Sequence, residues 1–312
     1  VTLPTPRNVT LVLRLVVPVA LAAALAACGG RSETGAIAGE PISFVELSQA
    51  ASGSADATSG RFAFSFRAET PELEEDIVVG GEGAFDALAG RASFTVDLSG
   101  FMALLGGIFS GMPGAADLDD PDLWTIDTIR DGSTTYVRLP ALASVLPPGK
   151  SWVKAKEGEV VRARGFRLAE LEQLTQPDPK ELLAVLEALE RLAGELEVVG
   201  EETLRGVSTT HYRATVDSKD VARAASEESG KDLGPLTDQI VGQSGISEVP
   251  IDVWIDSAGL VRKLLLDVQG TQPGGSAPSR ATVSFELWDL GEPVEIELPP
   301  ASEVIESSAL RR

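Results

Sequence analysis

Few residues in this chain have the types and spacing that chemistry needs. Ser151-Trp152-Val153-Lys154 spells Ser-x-x-Lys, in which a lysine activates a serine nucleophile when a helix sets both on one face and partner motifs complete the site. Here the surrounding alternation reads as a strand, and no Lys-Thr-Gly occurs in the chain. His211 is the single histidine, so any Ser–His or Cys–His catalysis must use it. It falls mid-strand with Tyr212 on the opposite face, the place of a structural histidine satisfied by a neighbour. The acidic run Asp117 to Asp122 offers oxygen ligands for calcium but lacks the EF-hand glycine and terminal glutamate, and reads as a solvated loop. One cysteine and one histidine cannot assemble a Cys/His zinc site. Neither Gly-x-Ser-x-Gly nor a phosphate-cradling Gly-x-x-x-x-Gly-Lys is present. The expectation is a protein that is not an enzyme and uses neither cofactor nor metal.

The elements around these residues belong to an acidic chain of 312 residues with 26 Lys+Arg against 47 Asp+Glu, a net charge of −21. Nucleic acid is excluded as a partner, since phosphates are bound by clustered basic groups. Hydrophobic residues make up 43%, enough for a sizeable core, so disorder throughout is excluded as well. The length fits two domains or one large β domain.

The N-terminal stretch points to a compartment. Arg7 and Arg14 are followed by an apolar run of small and aliphatic residues from Leu15 to Ala27, then Cys28. A basic start, a short apolar segment and small residues at its end is the layout of a secretory signal peptide. Such a run is shorter than the roughly 20 apolar residues of a spanning helix. Leu25-Ala26-Ala27-Cys28 resembles a bacterial lipobox, which implies a diacylglyceryl group on the Cys28 thiol and cleavage before it. Residues 1–27 are then the signal peptide, and residues 28–40, rich in Gly, Ala and Ser, a lipidated flexible tether. Loss of two arginines leaves 24 basic against 47 acidic groups, or −23. That charge holds the body of the protein off anionic headgroups. The expected location is the extracytoplasmic face of the cell membrane, with the membrane as partner through the Cys28 anchor.

Beyond the tether the pattern is strands with a few helices. Pro41 to Ala55 reads as an amphipathic helix, and Phe62, Phe64 and Phe66 recur with period two. Residues 76–88 continue with glycines at 80, 81 and 83 that permit curvature. Ala92, Phe94, Val96 and Leu98 share one side of the next run. Asp131-Gly132 predicts a hairpin turn. Further strands are expected at 151–156, 195–204, 207–217, 250–256, 260–268, 281–290 and 293–298, and helices at 179–193, 218–230 and 233–241. About eleven strands linked by hairpins predict an antiparallel sheet with helices against one face.

Tyr136-Val137-Arg138-Leu139-Pro140, Gly149-Lys150-Ser151-Trp152-Val153, the Gly206–Arg213 and Val253–Arg262 runs, and Leu290–Ile296 occur in that order. Together, behind a lipobox, they resemble the actinobacterial lipoproteins of the LolA-like superfamily, which includes the mycobacterial glycolipid-carrying lipoproteins. The resemblance implies an α+β fold in which a large antiparallel sheet curves into a half-open β-barrel, with helices on its concave face. It spans residues 41–305, leaving 306–312 as a C-terminal tail.

By alternation, Phe62, Phe64, Phe66, Phe94, Val96, Leu264, Leu266, Val283 and Phe285 are the candidates to line an apolar cavity. A second apolar stretch, Phe101 to Met112, contains Phe101, Leu104, Leu105, Ile108, Phe109 and Met112 among glycines that weaken a helix. A core plug, a movable lid and a membrane-dipping loop are all open for it. The leading expectation is an envelope lipoprotein that binds the acyl chains of a lipid or glycolipid, with transport across the envelope as one use of that binding. The alternative is a structural or protein-interaction lipoprotein of the same fold, with another envelope protein as partner and no lipid cargo.

Overall fold

The computed structural model describes residues 40–69, 76–108, 120–156, 162–163, 166–167, 195–217, 219–220, 248–270 and 279–310. Strand β1 (Ile42–Ser43) leads directly into helix α1 (Phe44–Ala55). Ser43 caps that helix. Its Oγ accepts from the Glu46 N–H while the Glu46 carboxylate accepts from the Ser43 N–H, a reciprocal box that fixes where the helix starts. The Ser43 N–H, and after it the Ser43 hydroxyl, which donates to the same carboxylate oxygen at 2.8 Å, hold the Glu46 carboxyl below its ordinary pKa.

Next come β2 (Ser59–Glu69), β3 (Ile77–Asp86) and β4 (Arg91–Asp97), then helix α2 (Ser99–Ile108). The hairpin of β5 (Thr125–Asp131) and β6 (Thr134–Arg138) turns at Gly132, whose φ of 57° is the left-handed conformation that the Asp-Gly pair predicted. Strand β7 (Trp152–Lys156) follows, and the short β8 (Arg162–Ala163) and β9 (Phe166–Arg167) pair with each other apart from the main sheet. The second half contains β10 (Glu195–Leu204), β11 (Val207–Asp217), β12 (Glu248–Asp256), β13 (Val261–Gly270), β14 (Ser279–Trp288) and β15 (Val304–Glu306).

Thirteen of these strands form one sheet in the order β1-β10-β11-β12-β13-β14-β2-β3-β4-β5-β6-β7-β15. The sheet is not closed: β1 and β15 are its two edges. Two expectations are corrected here. The sheet is mixed and not purely antiparallel, because β15 runs parallel to β7. Residues 293–298, expected as a strand, form no ladder. Both follow from one path. After β14 the chain crosses the sheet in extended form and reaches β7 at the far edge, where a tight hairpin cannot make the connection and a parallel pairing results. Ser307, just past β15, is buried, and Leu310 packs against the core beside β7. The helices expected at 179–193, 218–230 and 233–241 lie outside the described residues, apart from a helical pair at 219–220.

Register divides the side chains cleanly. Directly paired residues share a face. The row Leu264, Phe285, Phe64, Gly81, Val96 and Ile126 therefore lies on one side, with Leu266, Val283, Phe66 and Val79 beside it. This side is apolar across the sheet. On the other side, Glu82, Thr95, Asp127 and Arg138 form a row, and ion pairs such as Arg67–Asp76 (2.8 Å) and Arg91–Asp131 (3.0 Å) tie neighbouring strands together.

Candidate functional site

All nine residues expected to line a cavity lie on the apolar face, on the four strands β13, β14, β2 and β4 near the middle of the sheet. Phe66, Val96, Val283 and Phe285 are buried, whereas Phe62, Phe64, Phe94, Leu264 and Leu266 are only half-buried. The two helices pack on this same face, one toward each edge. Through Phe44, Leu47, Ala50 and Ala51, α1 covers Leu196, Tyr212, Ile251 and Val253 of β10 to β12. Met102 of α2 packs with Ile126, Val137 and Val153 of β5 to β7. Between these two cores, Phe66, Val79, Val96 and Val283 form a third, against which Phe64, Phe94, Phe101 and Leu266 pack.

Glycines on β3 shape that middle region. A Cβ on Gly81 would lie 2.7 Å from the Phe64 ring and 2.4 Å from the Thr95 carbonyl oxygen. One on Gly83 would lie 2.6 Å from the Phe62 ring and 2.4 Å from the Ser93 carbonyl oxygen. The two phenyl rings thus lie across the neighbouring strand, in space only glycine leaves open. Phe62 also stacks on Phe285, with centroids 6.2 Å apart. The alternation of Gly81 and Gly83 opposite Phe64 and Phe62 was the sequence signal for this seating.

Of the second apolar stretch, residues up to Ile108 form helix α2 despite three glycines. Gly100 permits the helix to approach β3 closely, since a Cβ there would lie 2.6 Å from the Val78 carbonyl oxygen. Phe101 is half-buried and Met102 buried. The backbone places Leu104, Leu105 and Ile108 on this helix, while Phe109 and Met112 lie outside the described residues. Cys28 and the tether also lie outside them. No helix among the described residues is long and apolar enough to cross a membrane.

The groups with catalytic potential are committed to contacts between strands. His211 is buried with both ring nitrogens engaged, Nδ1 3.1 Å from Glu202 Oε1 and Nε2 2.5 Å from Asp252 Oδ1. Arg213 Nε donates to the same Asp252 oxygen at 2.8 Å, and Trp254 Nε1 donates to Glu202 Oε2 at 2.9 Å. The imidazole stacks on Trp254 at 4.1 Å. A ring held at both nitrogens and covered on one face has no lone pair facing a substrate, so it works as a cross-strand brace. Its partners were not foreseen, because Glu202, across the β10–β11 hairpin, and Asp252, on β12, meet it only through strand register. Ser151 Oγ donates to Glu303 and Lys154 Nζ to Glu306, so that pair fastens β15 to β7 on a strand, as its alternation predicted. Asp120 accepts from the Asp122 N–H and caps a short turn; Asp117 and Asp119 lie outside the described residues.

No family model matches the chain. Its backbone is similar to those of the mycobacterial lipoprotein LppX and of LprF. For LppX of Mycobacterium tuberculosis the TM-score is 0.40 at 15% identity, covering 81% of this chain and 97% of that one. For LprF of Mycobacterium bovis the TM-score is 0.42 at 13% identity, covering 82% and 94%. A curated relative in Streptomyces griseus, an uncharacterised 31.2 kDa protein of the rplA-rplJ intergenic region, is 26% identical over 159 residues. That match spans about half of each protein, 51% of this chain and 48% of the relative.

Proposed function

We propose that this chain is an extracytoplasmic lipoprotein, held to the cell membrane by acyl chains on Cys28, that takes the acyl chains of a lipid or glycolipid against its apolar sheet face. In this reading the sheet curls into a half-open barrel with α1 and α2 on its concave side. The supporting observation is the half-buried strip of Phe62, Phe64, Phe94, Leu264 and Leu266 between the cores under the two helices. Contiguous half-covered aromatic and leucine side chains are the surface that a hydrocarbon chain removes from water. Each buried methylene contributes about 0.8 kcal/mol, so one or two acyl chains give useful affinity after ordering costs. Phe66, Val96, Val283 and Phe285 form the floor. The segment with Phe101, Leu104, Leu105, Ile108, Phe109 and Met112 acts as a lid. Among the described residues, His211, Ser151 and Lys154 are taken up in contacts between strands.

The seating of Phe62 and Phe64 over Gly83 and Gly81 favours a second reading, a face that fills itself and a lipoprotein that keeps the fold without cargo. Lipid extraction and mass spectrometry of the purified protein lacking residues 1–28 separates the two. The carrier reading expects stoichiometric acyl lipid. The self-filled reading expects none. For the lid, Leu105→Lys should leave melting nearly unchanged and sharply reduce fluorescent-lipid uptake. A drop in stability of about 3–5 kcal/mol would instead mark a packed plug.

A further inference from the structure

The path that makes the sheet mixed leaves an unusual segment on the polar face. From Gly291, whose N–H donates to the Ser59 carbonyl oxygen at 2.8 Å, the chain passes through an extended stretch and a 3-10 turn at Ala301–Glu303, where the Glu303 carbonyl oxygen accepts from the Ser151 N–H at 2.9 Å. Between these anchors, Val294–Leu298 makes no backbone hydrogen bond to any described residue. Its side chains alternate up to Glu297: Ile296 is buried at 7% exposure, Val294 is half-buried, and Glu295 and Glu297 face solvent, while Leu298 is exposed as well. With side chains pointing alternately down and up, the N–H and C=O groups of an extended chain point sideways, along the sheet surface.

Clefts lie in both of those directions. One, of about 590 Å³, is walled by Asp86, Ala89 and Arg91 at the β3–β4 turn and by Val294–Leu298. The other, of about 360 Å³, lies toward Arg61, Asp127, Trp152 and Trp288 and shares Glu295, Ile296 and Glu297. A row of backbone groups with no partner among the described residues, beside open space, is a template for strand addition. Pro293 at one end and Pro299-Pro300 at the other limit it to about five residues. Glu295 and Glu297 pair with no described group. On the outer face of an added strand they would sit opposite alternate residues of the incoming chain, and such cross-strand pairs favour opposite charge.

We propose that Val294–Leu298 is a docking edge for an extended segment of a partner protein that has basic residues at alternate positions. The segment adds as a strand in the larger cleft, between the crossing chain and the β3–β4 turn. The chain's charge of −21 steers such a partner toward it. This surface lies on the face opposite the proposed lipid site, so cargo and partner do not compete for the same residues.

The test uses the protein lacking residues 1–28 and a short synthetic peptide alternating lysine and valine, with an alternating glutamate and valine peptide as control. Calorimetry should show binding of the basic peptide only. Amide hydrogen exchange should then slow by about tenfold or more at alternate residues within Val294–Leu298. The double variant Glu295→Lys with Glu297→Lys, whose melting should match wild type because both side chains are exposed, should bind the basic peptide about tenfold more weakly. Binding without protection of these amides, or equal affinity in the charge-reversed variant, would overturn the proposal. Amides already protected in the free protein would also overturn it, since another segment of this chain then occupies the edge.

Discussion

The two faces of the sheet are built from the same strands and differ in what each neighbour supplies. On the apolar face, Phe66 is flanked by Val79 on one strand and Val283 on the other, and stability comes from area removed from water. On the polar face, Asp256 is held by Arg262 Nε at 2.6 Å and by the N–H groups of Ala258 and Leu260 at 2.9 Å and 3.0 Å. The first kind of contact is non-directional and tolerates a guest. The second is directional and fixes register. A single sheet with an apolar face needs its other side to keep the strands in place, and the brace around His211 and Asp252 does that beneath the larger of the two terminal cores.

The contrast predicts a graded series of stability losses. Phe66→Ala empties the centre of the apolar face and should cost about 3–5 kcal/mol in denaturant unfolding. Asp256→Ala leaves the half-buried Arg262 guanidinium without its carboxylate and frees the β12–β13 turn, a loss of about 3 kcal/mol by the same measurement. Gly83→Ala forces a Cβ against the Ser93 carbonyl and the Phe62 ring and should cost about 1–3 kcal/mol. Because it also displaces the ring, it should alter lipid uptake in proportion. Arg67→Ala removes an ion pair between two half-exposed side chains and should change stability by no more than about 1 kcal/mol, less in high salt. Equal losses for Asp256→Ala and Arg67→Ala would erase the distinction between buried braces and surface pairs.

Titration sharpens the comparison at its margins. Hydrogen bonding from Arg280 lowers the Asp267 carboxyl below its ordinary value, as the Ser43 backbone does for Glu46. Folded-state values below the unfolded ones mean stability that is present above the unfolded value and lost as pH falls through the folded one. Burial raises the Tyr212 phenol, so its contribution is complete below the unfolded value near 10 and fades as pH rises through the folded one. Melting curves from acid to alkali should therefore fall at both ends, and Tyr212→Phe should remove part of the alkaline loss.

Period-two alternation made the apolar face legible. Phe62, Phe64 and Phe66 on β2 and Phe94 and Val96 on β4 could be assigned to one side before any register was known, because a half-buried strand writes its orientation into hydrophobicity. The Asp131-Gly132 turn was legible for the same local reason. What escaped were features that only strand register makes. Glu202, His211 and Asp252 meet only through the registers of β10, β11 and β12. The crossing at Val294–Leu298 alternates like a strand, yet its partners in a ladder are missing, and alternation alone cannot tell a laddered strand from an extended chain lying on a sheet.

Photo-crosslinking tests the central claim most directly. The protein lacking residues 1–28 is incubated with a fatty acid carrying a diazirine in its acyl chain, irradiated, digested and mapped by mass spectrometry. Acyl binding on the apolar face predicts labels on β2, β4, β13 and β14, concentrated at Phe62, Phe64, Phe94, Leu264 and Leu266. Labels confined to the polar face or to Val294–Leu298, or none above the level of an unfolded control, would contradict it.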